Sequence, residues 1–135
     1  MSCLFCKIIN KEIPSYKVYE DSDVFAFLDI APISHGHTLV VPKKHYANLE
    51  EIPEDELCKL IVAVKKVGGI LKKNLDVQGY NVGINNDPVA GQVISHIHFH
   101  IIPRKQGDGL RHWPEGKYKK GEAEKILKRI THNIN

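Results

Sequence analysis

The 135-residue sequence lacks any apolar run near the roughly 20 residues that a membrane-spanning helix needs. Its opening, Met-Ser-Cys-Leu-Phe-Cys-Lys, also lacks the basic-then-apolar layout of a secretory leader. Both absences point to a cytoplasmic protein with no membrane partner. Cysteine is scarce: three residues, an odd number, two of them spaced Cys3-x-x-Cys6. In a reducing compartment that pattern argues for metal or redox use rather than a disulfide framework. Excess charge is small as well, at +3. It is uneven, with nine Lys/Arg against four Asp/Glu from Pro103 onward. A basic tail of this kind is read as a solvated helix face, not as a nucleic-acid site. There are no repeats, no low-complexity tracts and no sign of a second domain, so residues 1–135 are expected to fold as one unit.

What is present centres on Ser95–Arg104. His96, His98 and His100 alternate with Ile97, Phe99 and Ile101. A strand turns successive side chains to opposite faces, so a strand ending at Pro103 would carry three imidazoles on a polar face, roughly 6.6–7 Å apart. Its apolar set would pack into a core. Histidine changes charge near neutral pH, so the cluster points to proton transfer, nucleophilic attack or metal binding.

The remaining elements follow from period and punctuation. A short helical pattern covers Cys3–Lys11 and stops at Ile13-Pro14-Ser15. Strands are predicted at Tyr16–Glu20, Val24–Ile30, Gly36–Val41 and Gly79–Asn85, with Asp21-Ser22-Asp23 as a turn. Pro53 and the acids after it start a long helix whose apolar positions run from Leu57 to Leu75. Gly68-Gly69 interrupts it, which would allow another element to approach closely. Cys58 on this helix is assigned to the core. Glu122–Thr131 reads as a terminal amphipathic helix. Five strands with the helices set apart predict an α+β fold with an antiparallel sheet.

Several residues could serve the histidine row. His37 could add a fourth imidazole. Asp29, ending an apolar strand, could accept hydrogen bonds from a ligand diol or could be a turn residue. Asn85–Gln92 is either a plain turn or a loop whose backbone at Gly91 approaches an anion. Cys3 and Cys6 with His45 and His96 would make a closed tetrahedral zinc set, structural rather than catalytic. The alternative is a pair of reduced cysteines packing a short helix. A catalytic metal held by all three strand histidines is disfavoured, because Pro103 and Arg104 supply no nearby carboxylate.

The run His96-Ile97-His98-Phe99-His100-Ile101-Ile102 resembles the signature of the histidine triad (HIT) superfamily of nucleotidyl hydrolases and transferases. Leu4–Ile9, Ile13-Pro14, Phe27–Ile30, His37–His45, Gly91-Gln92 and His112–Gly116 resemble that family's Hint branch. The resemblance implies a homodimer whose two sheets run together, each subunit binding a purine nucleoside monophosphate. It implies that His98 is the nucleophile, attacking the α-phosphorus to give a nucleotidyl-histidine that water hydrolyses. No cofactor takes part in that chemistry. His100 would hold a phosphate oxygen or protonate the leaving group, His37 would support the row, and His96 would serve either substrate or metal. Asp29 would bind the ribose hydroxyls. Leu4, Phe5, Ile8, Phe27 and Ile30 would form the base pocket, with Asn85, Gly91 and Gln92 at the phosphate. In the family's bacterial-type members, Cys-x-x-Cys pairs with later histidines around zinc. Val93 departs from the pattern: the family usually has serine or threonine there, so a hydroxyl donor toward the phosphate or leaving group is lost. The implied activity is hydrolysis of nucleoside 5′-phosphoramidates such as adenosine monophosphoramidate. Cleavage of dinucleoside polyphosphates is the near alternative, and a nucleotide-binding interaction module with little turnover is the distant one.

Overall fold

The computed structural model describes residues 2–132. Helix α1 spans Leu4–Ile9, and strands β1 and β2 span Lys17–Glu20 and Val24–Leu28. Strand β3 (Thr38–Pro42) precedes the long helix α2 (Glu54–Asn74). Strand β4 (Gly79–Ile84) leads through a one-turn helix at Pro88–Ala90 to β5 (Phe99–Arg104), and α3 (Glu122–Thr131) follows. The five strands form one antiparallel sheet in the order β1-β2-β3-β5-β4. This is the α+β architecture expected from the sequence.

The apolar runs in β2 and β3 follow from a sheet covered on both faces. Val24, Ala26, Val40, Phe99 and Ile101 pack with Leu60, Ala63, Val64, Val67 and Leu71 of α2. Phe25, Phe27, Leu39 and Val41 face the other way, against Phe5 and Ile8 of α1. A period of two on a double-covered sheet therefore sorts neighbours into two separate cores. Gly68 has a local reason: a Cβ there would lie 2.5 Å from the Tyr80 ring of β4. Gly69 has no such neighbour.

The structure corrects the sequence in particulars. The histidine strand begins at Phe99, not at His96, and Pro103 lies inside it opposite Tyr80. His96 and His98 lie ahead of the ladder, in an unpaired stretch that bends at residues 94–96. That segment keeps the alternation, since Ile97 joins the α2 core while Phe5 of α1 covers His96 and His98. His96 and His98 are thus buried and His100 half-buried. His37 precedes β3 instead of lying in it, β2 stops before Asp29, and Cys58 is exposed rather than core.

Candidate active site

A cleft of about 320 Å³ opens between α1, the end of β2 and the loop before the histidines. Leu4, Phe5, Ile8, Phe27, Leu39 and Ile94 give it apolar walls, and Asp29, His98 and His100 bring polar groups to it. Of the expected residues, Ile30, Gly91 and Val93 also line it. His37, Asn85, Gln92 and His96 do not. Ser15 and Ile94 line it without having been assigned to the site, and so does Pro14, which had been read as helix punctuation and as part of the family resemblance.

Backbone groups fix which nitrogen of each histidine carries the proton. The His98 Nδ1–H donates to the carbonyl oxygen of His96 at 2.8 Å. Its Nε2 therefore keeps a lone pair. His37 Nδ1 accepts the Ile33 N–H at 3.0 Å, so its proton is on Nε2 and is donated to His100 Nδ1 at 2.9 Å. The proton of His100 is then on Nε2, a buried atom with no partner among the described residues. A bare lone pair and an unused donor thus stand side by side, with ring centroids 5.0 Å apart. The Phe5 ring meets His98 edge-on at 5.0 Å and limits its tilt.

Burial is the main cause lowering the pKa of His37, His98 and His100, the last to about 4. The Asp29 carboxylate pulls all three the other way. All three are neutral imidazoles at pH 7. Asp29 accepts the Ala31 N–H through Oδ1 at 2.9 Å and stands 3.7 Å from His37 Nε2 through Oδ2. Asp29, His37 and His100 bring a carboxylate to two imidazoles, which the chain order did not suggest. Three histidines do not converge on one point, however, because His96 faces elsewhere.

The loop before the cleft is self-contained. Gly91 takes the left-handed conformation (φ 98°), and its N–H donates to Pro88 O while that of Gln92 donates to Asp87 O. The Gln92 side chain accepts from Asp87 N–H and donates to Ala47 O and Ile94 O. Val93 is exposed, and its amide and that of Ile94 have no backbone partner among the described residues. Asn85 lines a second hollow of about 520 Å³ with His100, Arg104, Arg111, His112 and Trp113. That hollow is larger but lacks His98.

His96 belongs to another cluster. Its Nε2–H donates to Pro42 O at 2.9 Å, so Nδ1 presents a lone pair. That atom lies 3.5 Å from Cys3 Sγ, 3.6 Å from Cys6 Sγ and 3.1 Å from His45 Nδ1, with Cys6 Sγ to His45 Nδ1 at 3.4 Å. Zinc–nitrogen and zinc–sulfur bonds of about 2.0 and 2.3 Å imply tetrahedral edges of roughly 3.3–3.8 Å, so this donor set fits zinc. Burial, and then the neighbouring Cys3, push the Cys6 thiol up to about 11, an order that a divalent cation inverts.

The HIT domain pattern matches residues 10–107. A HIT-like protein of Methanocaldococcus jannaschii is 56% identical over 95% of this chain and 98% of its own length. The chain belongs to the HIT family. An adenosine 5′-monophosphoramidase of Candida albicans is 46% identical over 84% of the chain and 78% of its own length. Among solved structures, a HIT family member from Bacillus subtilis is 39% identical and superposes with a TM-score of 0.88, covering 100% of this chain and 99% of that one. A zinc-bound histidine triad protein from Mycobacterium smegmatis is 34% identical with a TM-score of 0.79, covering 87% and 85%. This HIT chain carries a Cys/His group able to hold a metal, and none of its described helices is long and apolar enough to cross a membrane.

Proposed function

We propose that this HIT protein hydrolyses purine nucleoside 5′-phosphoramidates of the adenosine monophosphoramidate type, through a nucleotide bonded to His98. One observation carries the reading: a buried imidazole whose Nε2 lone pair faces an apolar cleft large enough for a nucleoside, with a free N–H beside it. The base would lie between Leu4, Phe5, Ile8, Phe27 and Ile30, with the ribose hydroxyls on Asp29. The phosphate would meet the His100 Nε2–H and the open amides of Val93 and Ile94, with Asn85, Gly91 and Gln92 shaping that end.

In the first step His98 Nε2 attacks phosphorus and the P–N bond to the amine breaks. A neutral nucleophile needs no separate base. The His100 Nε2–H holds a phosphate oxygen beside the departing nitrogen, which takes up its proton from solvent. Water then attacks the phosphorus and releases a proton to solvent, the bond to His98 breaks and restores its Nε2 lone pair, and the monophosphate leaves. His37, through its hydrogen bond, holds His100. Zinc on Cys3, Cys6, His45 and His96 would be structural, with no open position. The single domain would act as a homodimer in the cytoplasm: β4 ends the sheet with an unpaired edge, and Val82, Ile61 and Val62 are exposed apolar residues on β4 and α2.

Mass spectrometry of the protein mixed with adenosine phosphoramidate tests this. An adduct of nucleotide mass is expected on the wild type and not on His98→Ala, with turnover of the variant reduced by roughly 10⁴-fold or more. Faster turnover of diadenosine polyphosphates than of phosphoramidates would reassign the substrate. An adduct that persists on His98→Ala would refute the nucleophile.

A further inference from the structure

We infer that Cys3, Cys6 and His45 are positioning residues for the nucleophile, acting through the backbone of His96 when the four-residue set holds zinc. The inference rests on the function proposed above. Its starting point is that His96 and His98 lie outside the ladder, which begins at Phe99. Strand pairing therefore does not hold the His96 carbonyl, yet that carbonyl decides the proton position on His98.

What holds it is a pair of anchors from distant parts of the chain. The Nδ1 of His96 faces Cys3, Cys6 and His45, and its Nε2–H is bonded to Pro42 O. Next to His45, the Tyr46 carbonyl accepts the Ile97 N–H at 2.8 Å. Bringing His45 and His96 onto one ion thus clamps residues 45–46 against residues 96–97. Cys3 adds a third strut: its Sγ accepts the Cys6 N–H at the start of α1, the helix whose Phe5 ring abuts His98.

If the set is open, His96 and Ile97 keep their bonds to Pro42 and Tyr46 but lose the tie through the ion between residues 45–46 and 96–97, so the His96 carbonyl is held less firmly. The imidazole of His98 then loses its Nδ1–H acceptor and populates the tautomer with hydrogen on Nε2. That tautomer has no lone pair facing the cleft. The loss of that lone pair falls on the bond-forming step, whereas loosening of α1, which carries Leu4 and Phe5 of the cleft as well as Cys6, would fall on nucleotide affinity.

The experiment compares zinc-loaded wild type, chelator-treated wild type, His45→Ala and His45→Cys, each with metal content measured. His45 is on the surface side of the set, and cysteine there restores a tetrahedral donor group. Three quantities are read: the rate of nucleotidyl-protein formation at saturating phosphoramidate, the AMP dissociation constant, and the ¹⁵N tautomer signature of residue 98. Adduct formation in His45→Ala and in chelated protein should slow by about tenfold or more, in line with the cost of misorienting a reacting group. AMP affinity should change less, residue 98 should show mixed tautomers, and zinc-loaded His45→Cys should recover both rate and signature. An unchanged adduct rate and a single tautomer in metal-free protein, with only thermal stability lowered, would overturn the inference. A wild type that forms no adduct would instead sink the proposed reaction, while the tautomer spectra would still decide the positioning role.

Discussion

A histidine has two ring nitrogens, and they become different atoms once one is tied to the backbone. His98 and His100 sit two residues apart and present a lone pair and an N–H respectively, because one is held by a carbonyl and the other by a second imidazole. None of this is legible from Ser-His-Ile-His-Phe-His. The alternation orders the rings, but the tautomers depend on Ile33 and on the carbonyl of His96. Asp29 could be placed in sequence only as a strand-ending carboxylate. In the structure one of its oxygens serves the Ala31 turn and the other remains near the cleft. Asp29→Asn should therefore weaken AMP binding by about tenfold, the worth of one charged hydrogen bond. Binding of 2′-deoxy-AMP should fall less. Calorimetry with the two ligands checks this, and equal losses would remove Asp29 from the ribose.

At the scale of elements, the two glycines of α2 make opposite predictions. Gly69→Ala meets open space and should stabilise the helix by about 0.5–1 kcal/mol. Gly68→Ala must displace the Tyr80 ring, so it should melt below Gly69→Ala. The reverse order in thermal melts would reject this account of the contact. That Gly68-Gly69 allows close approach could be read from sequence; that the partner is Tyr80, and that only one glycine needs to be small, could not. Helix positions were well marked by apolar period and by Pro53, which proves to be the cap residue before Glu54. The histidine strand begins later than expected because the alternation runs on from the paired strand into an unpaired stretch with the same pattern. Only the neighbour β3, which pairs through Thr38–Val40 and not further, distinguishes them.

For the whole molecule, the buried imidazoles couple folding to acidity. The folded-state pKa values of His37 and His100 are lowered, that of His100 to about 4, against about 6.5 in an unfolded chain. Between those values the unfolded chain binds more protons, so this contribution is complete above about pH 6.5 and is lost as pH falls toward 4. Asp108, paired with Arg104, is held well below the usual carboxylate range and keeps its contribution across that window. The melting temperature should drop between pH 7 and pH 4.5. A flat or rising profile in calorimetry would contradict the burial of the pair.

The sheet also works as a partition. Its α2 side is packed by helix and strand alone, while the cleft lies wholly on the side that α1 covers. Recognition of the base is thereby assigned largely to a six-residue helix near the start of the chain, apart from the α2 packing but part of the smaller core on its own side. New ligand preferences are best sought at Leu4, the half-exposed cleft residue of that stretch, since Phe5 and Ile8 also fill the core and Phe5 abuts the reactive ring.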